Sequence, residues 1–323
     1  VMRRRSSLVL ATVALLLGSV VGAAPGEARR APVDPAFTVP VAKLAAALDC
    51  PKFSHPRRDP VLLVHGTGQT GQQNWGWNYV PALAAAGYDA CVVTLPAASW
   101  GDVQVATEYV AYAVQKLHRL TGRDVDTIGH SQGTLEQRGS VKWWASVRRI
   151  TDDEILLSGP GHGTLTATGI CVARLCPAAA WQMAKGSDFV TALNAGDETP
   201  GDVDVTSIYS LVDDLVQPAA TAALDGAANV LLQDVCPLRI VHHGGSLWDS
   251  LTWELALDAL RHDGPADVDR LARGACGRLV MPDAVDPLIN DAGVYANGVA
   301  TLAKAKFVDS EPAVTLARAR RNR

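Results

Sequence analysis

The chain has 323 residues, 48% hydrophobic and 19% charged, with 29 basic against 33 acidic side chains and a net charge of -4. That balance can bury one large core and excludes the clustered basic footprint of a nucleic-acid-binding protein. It leaves open what else the chain engages, which its motifs must decide.

The opening stretch, VMRRRSSLVLATVALLLGSVVGAAPGEARRAP, places three arginines before an uncharged 14-residue run from Leu8 to Val21, followed by Gly22, Ala23 and Ala24. This is the layout of a secretory signal, and the run is short of the roughly 20 residues that a membrane-spanning helix needs. Residues 1–24 are therefore read as a signal peptide, with cleavage as late as residue 31, and the mature chain is expected outside the cell. Without Arg3, Arg4 and Arg5 the count becomes 29 − 3 = 26 basic against 33 acidic residues, a net charge near -7. Residues 32–310 read as a single domain, and 311–323, which contain the run ARARRNR, as a basic solvated tail.

Further along, DPVLLVHGTGQTG is a buried strand, Val61 to Val64, running into a glycine-rich loop. GYDACVVTLP supplies a second strand after a stop at Gly87. Ala106, Val110, Ala113, Val114, Leu117 and Leu120 then recur at three- and four-residue intervals, an amphipathic helix ended by Gly122. DVDTIGH, DEILLSGP, VDVTSIYSLVDD and PLRIVHHGG read as later strands, with a helix over QGTLEQRGSVKWWASV. Such alternation predicts an α/β fold with a mostly parallel sheet covered on both faces. Residues 161–199 break it and read as a lid or cap.

Six cysteines in an exported chain suggest three disulfides, and of the 15 possible pairings a sequential one is favoured. Cys171 and Cys176 are close enough to close a small loop, while Cys50, Cys91, Cys236 and Cys276 lie well apart. No Cys-x-x-Cys or paired Cys/His spacing points to a metal site.

The chemistry centres on Gly129-His130-Ser131-Gln132-Gly133, which falls between a strand and a helix. A sharp turn there lifts Ser131 above the carboxyl end of the sheet as a nucleophile. A serine needs an imidazole to take its proton and a carboxylate to orient that imidazole, here in the chain order serine, acid, histidine. YSLVDDLVQP offers Asp213 or Asp214, and RIVHHGGSL offers His242 or His243; the residue pattern alone does not separate the members of either pair. Oxyanion donors are expected from the backbone N–H of Gln132 and from the loop Gly66-Thr67-Gly68.

Together these segments, with DPAFTVPVAKLAAALDC before them, resemble the lipases of the lipase B type in the α/β-hydrolase superfamily, including actinobacterial secreted lipases. The resemblance implies Ser131 as nucleophile, Asp213 as acid, His243 as base, and Thr67 with Gln132 as the oxyanion hole. It also implies disulfides Cys50–Cys91 and Cys236–Cys276, leaving Cys171–Cys176 inside the lid-like region. His130 stands where the family's type enzyme has tryptophan, and together with Trp181 and Gln182 it is a candidate for the substrate pocket. The expected activity is a lipase or carboxylesterase acting through an acyl-enzyme on esters such as acylglycerols, in solution or at a lipid–water interface, as a monomer without metal or organic cofactor. Acyl transfer to an alcohol is the alternative, and a catalytically inactive binding protein a more distant one; Ser131 argues against the aspartate-dependent dehalogenases of the same architecture.

Overall fold

In the computed structural model, which describes residues 34–172 and 176–317, the apolar runs of the sequence become the strands of one sheet. The expected signal peptide lies outside the described residues. The strands are β1 (Leu48–Asp49), β2 (Val61–Val64), β3 (Ala90–Val93), β4 (Val125–His130), β5 (Thr151–Leu157), β6 (Asp204–Tyr209) and β7 (Ala228–Leu231). Their spatial order is β1-β3-β2-β4-β5-β6-β7, and every neighbouring pair is parallel except β1 with β3. This is the mostly parallel, helix-covered sheet of the α/β-hydrolase fold.

Strands β2, β3 and β4 are buried at every residue, because helices cover both faces and leave no reason for a polar side. Alternation along β2 feeds two cores. Leu62 and Val64 pack with Val93, Val110 and Val114 on one side, whereas Val61 and Leu63 pack with Trp75, Leu251 and Trp253 on the other. The periodic helix expected after β3 is α1 (Val103–Thr121), opened by the Asp102 carboxylate accepting from the Gln104 N–H at 2.9 Å and closed by Gly122 at φ 70°. Helix α2 (Gly133–Trp143) follows β4 and is buried along its whole length, including Glu136, Arg138 and Lys142.

Three disulfides pair Cys50–Cys91, Cys171–Cys176 and Cys236–Cys276. Residues 161–199 carry three short helices, α3 (Leu165–Ile170), α4 (Ala178–Met183) and α5 (Asp188–Asn194). Near the carboxyl terminus, α6 (Ser250–Ala259) covers the second core and α7 (Pro287–Leu302) lies over the carboxyl end of the sheet.

Two expectations need correction. PLRIVHHGG is not a strand: Leu238 and Ile240 are 95% and 82% exposed, and it is Arg239 that turns inward. Its guanidinium donates to Asp249 at 2.7 Å and to the carbonyl oxygens of Cys276 and Arg278, so the last strand of this sheet is Ala228–Leu231 and the histidines sit on a loop beyond it. Nor are residues 311–317 a solvated tail. The Glu311 carboxylate accepts from the N–H groups of Asp188 and Phe189 at the start of α5, and Gln104 accepts from Thr315 and Leu316, burying Leu316.

Candidate active site

Ser131 occupies the single residue between the end of β4 and Gln132, which caps α2, and its backbone is left-handed at φ 56°. A non-glycine residue is held there only when its surroundings over-determine it. The Ser131 N–H donates to the Leu157 carbonyl at 2.9 Å, tying the turn to β5. The flanking glycines permit the rest. A Cβ on Gly133 would stand 2.5 Å from the Val64 carbonyl oxygen, and one on Gly129 would stand 1.7 Å from Gln137 Oε1. The pentad spacing thus follows from how closely α2 crosses the ends of β2 and β4.

The loops after β6 and β7 bring acid and imidazole together. His243 Nδ1–H donates to Asp213 at 2.9 Å from Oδ2 and 3.1 Å from Oδ1, with both side chains buried. The Asp213 carboxylate also accepts from the N–H groups of Leu215 and Val216, at 2.8 and 2.7 Å. Burial alone would raise the Asp213 carboxyl, but the His243 charge and hydrogen bond and these two N–H groups together hold it below the usual range. Burial, the largest single influence, pulls His243 down, but the Asp213 charge and hydrogen bond together with the Asp214 charge prevail, so the imidazole stands above its ordinary value.

The second member of each pair has different partners. Asp214 Oδ1 accepts from the His243 backbone N–H at 2.9 Å and from the Tyr295 hydroxyl at 3.0 Å. His242 faces α7 instead, 3.2 Å from Asp291 and 3.2 Å from the Tyr295 hydroxyl.

At the glycine-rich loop, the Thr67 hydroxyl donates to Gln132 Oε1 at 2.5 Å, and Gln132 Nε2 donates to Glu136 at 2.8 Å. Among the described residues neither the Thr67 nor the Gln132 backbone N–H has an acceptor. Glu136 is fully enclosed, and burial raises its carboxyl to about 8, so at neutral pH it is mostly a neutral acid. Nothing in the sequence pattern marked Glu136 or Tyr295; only their three-dimensional neighbours do.

His130 lies with its ring 4.9 Å from that of His243, and its Nε2–H donates to the His243 carbonyl at 3.3 Å. Burial first, and then the charge of His243, lower it to about 3, so it is neutral and adds no second cation beside His243.

Ser131, His130, Thr67 and His243 all border one cavity of about 230 Å³, whose walls are largely apolar. Thr164, Ile170 and Met183 of the 161–199 region line one side, and Val294, Val299 and Leu302 of α7 line the other. Trp181 and Gln182 do not border it. The Trp181 indole donates to the Val308 carbonyl and packs on the Cys171–Cys176 bridge, while Gln182 is spent bridging the Val103 N–H and the Asp102 carboxylate.

Residues 58–243 match the family model described as lipase (class 2). The chain belongs to the class 2 lipases. This lipase is 34% identical over 266 residues to lipase B of Pseudozyma antarctica, an alignment covering 79% of this chain and 77% of the relative. Its fold matches the crystal structure of Aspergillus fumigatus lipase B with a TM-score of 0.83 at 32% identity, covering 89% of this chain and 74% of that one. This class 2 lipase is accordingly an ester-hydrolysing enzyme of the α/β-hydrolase fold.

Proposed function

We propose that this lipase hydrolyses carboxylic esters with apolar acyl groups, acylglycerols among them, through an acyl-enzyme on Ser131. The observation that carries the reading is the strained Ser131 turn sharing one cavity with the His243 imidazole, whose far nitrogen is bonded to buried Asp213. As Ser131 Oγ attacks the ester carbonyl carbon, His243 Nε2 accepts the hydroxyl proton, and Asp213 stabilises the imidazolium formed. The carbonyl oxygen takes the negative charge, facing the backbone N–H groups of Thr67 and Gln132; the Thr67 hydroxyl joins them only by turning away from Gln132 Oε1. His243 returns the proton to the departing alcohol, then activates water to release the acid and restore Ser131. The apolar walls of the cavity suit the acyl chain.

Export of the mature chain is part of the same proposal, supported by the amino-terminal pattern and by three disulfides, which persist in oxidising compartments. The test is hydrolysis of p-nitrophenyl esters from acetate to palmitate, with emulsified triglyceride alongside, by the purified mature protein and its Ser131→Ala variant. Turnover that vanishes in Ser131→Ala while its melting curve is unchanged is expected. Equal turnover in both proteins overturns the assignment.

A further inference from the structure

A polar chain runs inward from the cavity, behind the serine turn. Thr67 borders the cavity, whereas Gln132 and Glu136 are fully buried away from it. Gln132 stands at the start of α2 and Glu136 one turn further, so both project from the same face of the helix. The Thr67 hydroxyl donates to Gln132 Oε1 at 2.5 Å, and Gln132 Nε2 donates to Glu136 Oε1 at 2.8 Å. Every hydrogen in this chain therefore points inward, away from the reacting carbonyl.

The Thr67 hydroxyl can serve an oxyanion only by leaving Gln132 Oε1, which would strand a buried carbonyl oxygen at the cost of its desolvation. A half-turn of the Gln132 amide removes that cost. Its oxygen and nitrogen ends are of similar size, so the turned amide fits the same space. Nε2 then donates to Thr67 Oγ1, whose own hydrogen is free for the cavity, and Oε1 faces Glu136. Only a Glu136 that carries a proton can donate to it; an ionised carboxylate accepts and never donates, and so holds the amide and the hydroxyl in the inward direction.

We propose that protonated Glu136 is a positioning residue that releases the Thr67 hydroxyl to the oxyanion by way of the Gln132 amide, an inference that rests on the Ser131 reaction proposed above. In the released state Glu136 O–H donates to Gln132 Oε1, Gln132 Nε2–H to Thr67 Oγ1, and Thr67 O–H to the oxyanion. No proton leaves Glu136; the amide and the hydroxyl only rotate.

Two observations support a neutral Glu136. Among the described residues its Oε2 has no hydrogen-bond partner, whereas an ionised carboxylate buried this deeply needs partners at both oxygens. Burial also raises its carboxyl to about 8, against the pull of the Gln132 hydrogen bond. Charged and titratable groups on α2 and on the elements packed against it have other partners. His65, after β2, lies between the Gly66 carbonyl and the Leu95 N–H, and His130, ending β4, donates to the His243 carbonyl. Glu108 of α1 accepts from the Thr38 and Val39 N–H groups, and Glu154 of β5 is drawn to Arg138. Arg138 and Lys142 themselves donate to the carbonyl oxygens of Gly161 and Ala195.

The test is kcat for p-nitrophenyl butyrate between pH 7 and pH 9 in the wild type, Glu136→Gln, Thr67→Val and the double variant, with Ser131→Ala as the blank and melting curves to confirm folding. Thr67→Val keeps the backbone N–H and loses the hydroxyl, so its kcat should fall on the order of 10²-fold with little change in KM. Wild-type kcat should drop about tenfold from pH 7 to pH 9 as Glu136 ionises through about 8. Glu136→Gln, whose amide can donate to Gln132 Oε1 at every pH, should hold its pH 7 value through pH 9. Thr67→Val should be equally flat, and adding Glu136→Gln to it should change nothing further. A purely structural role for Glu136 would leave the same pH profile in every variant. A wild-type kcat that does not fall, a fall that persists in Glu136→Gln, or an equal fall in Thr67→Val overturns the proposal while the Ser131 reading stands. Absence of Ser131-dependent turnover in the wild type overturns that reading and this inference with it.

Discussion

Replacing Gly133 by alanine tests whether the serine turn depends on close packing of α2 against the strand ends. The added Cβ would sit 2.5 Å from the Val64 carbonyl oxygen and 2.7 Å from that of His65. A carbon–oxygen contact settles at about 3.3 Å or more, so the turn must retreat by roughly 0.8 Å against backbone that has no rotamer to yield. Overpacking of this kind costs about 1–3 kcal/mol, a fall in melting temperature of about 2–5 °C for a chain of this size. The same retreat carries Ser131 and the Gln132 N–H with it, and a misplacement near 1 Å costs on the order of 10²-fold in rate. The control is Gly293→Ala in α7, where the new methyl meets nothing within 4 Å and helix propensity gains up to about 1 kcal/mol. Melting curves and kcat/KM on p-nitrophenyl butyrate should move in opposite directions from wild type for stability, with activity lost only in Gly133→Ala. Wild-type melting and more than half the activity in Gly133→Ala would refute the packing argument.

Asp213→Asn should lower kcat by about 10⁴-fold with the fold retained. With His243 as the proposed base, the free enzyme would need it neutral, so activity should fall as pH drops through a histidine value held above the ordinary range. The residual activity of Asp213→Asn should show that acid limb at lower pH, read from kcat/KM against pH. A limb that stays in place would detach His243 from the rate. Glu136→Gln keeps an acceptor for Gln132 but removes a carboxyl whose value rises from 4.5 to about 8 on folding. The stabilisation from a raised acid is complete below about 4.5 and is lost as pH climbs through about 8. The melting temperature of Glu136→Gln should therefore gain on wild type between pH 5 and pH 9, and a constant difference across that range would contradict the assignment.

Much of the fold was legible because parallel strands covered on both faces read as unbroken apolar runs, as in β2 and β3, and because α1 carries both its periodicity and its caps. The pentad was legible for a steric reason: Gly129 and Gly133 are the positions where a side chain would strike neighbouring atoms. What sequence order could not separate was Asp213 from Asp214 or His242 from His243. Adjacent residues in a loop share composition and differ only in where the backbone points them. Arg239 misled the strand reading because its long side chain finds buried acceptors from distant segments while apolar Leu238 and Ile240 face outward. Trp181 and Gln182 were placed at the pocket by resemblance, but their hydrogen bonds run to Val308, Val103 and Asp102. Glu136 and Tyr295 act through contacts closed only in three dimensions.

Asp214 has one oxygen serving two masters. It anchors the backbone of His243 and, at the same atom, receives the hydroxyl of Tyr295 from α7, the helix that forms one wall of the cavity. Wall and base therefore share a hinge pin. Motion of α7 away from the cavity withdraws a proton donor from the carboxylate that fixes the loop bearing the imidazole, so that widening the entrance also loosens the base.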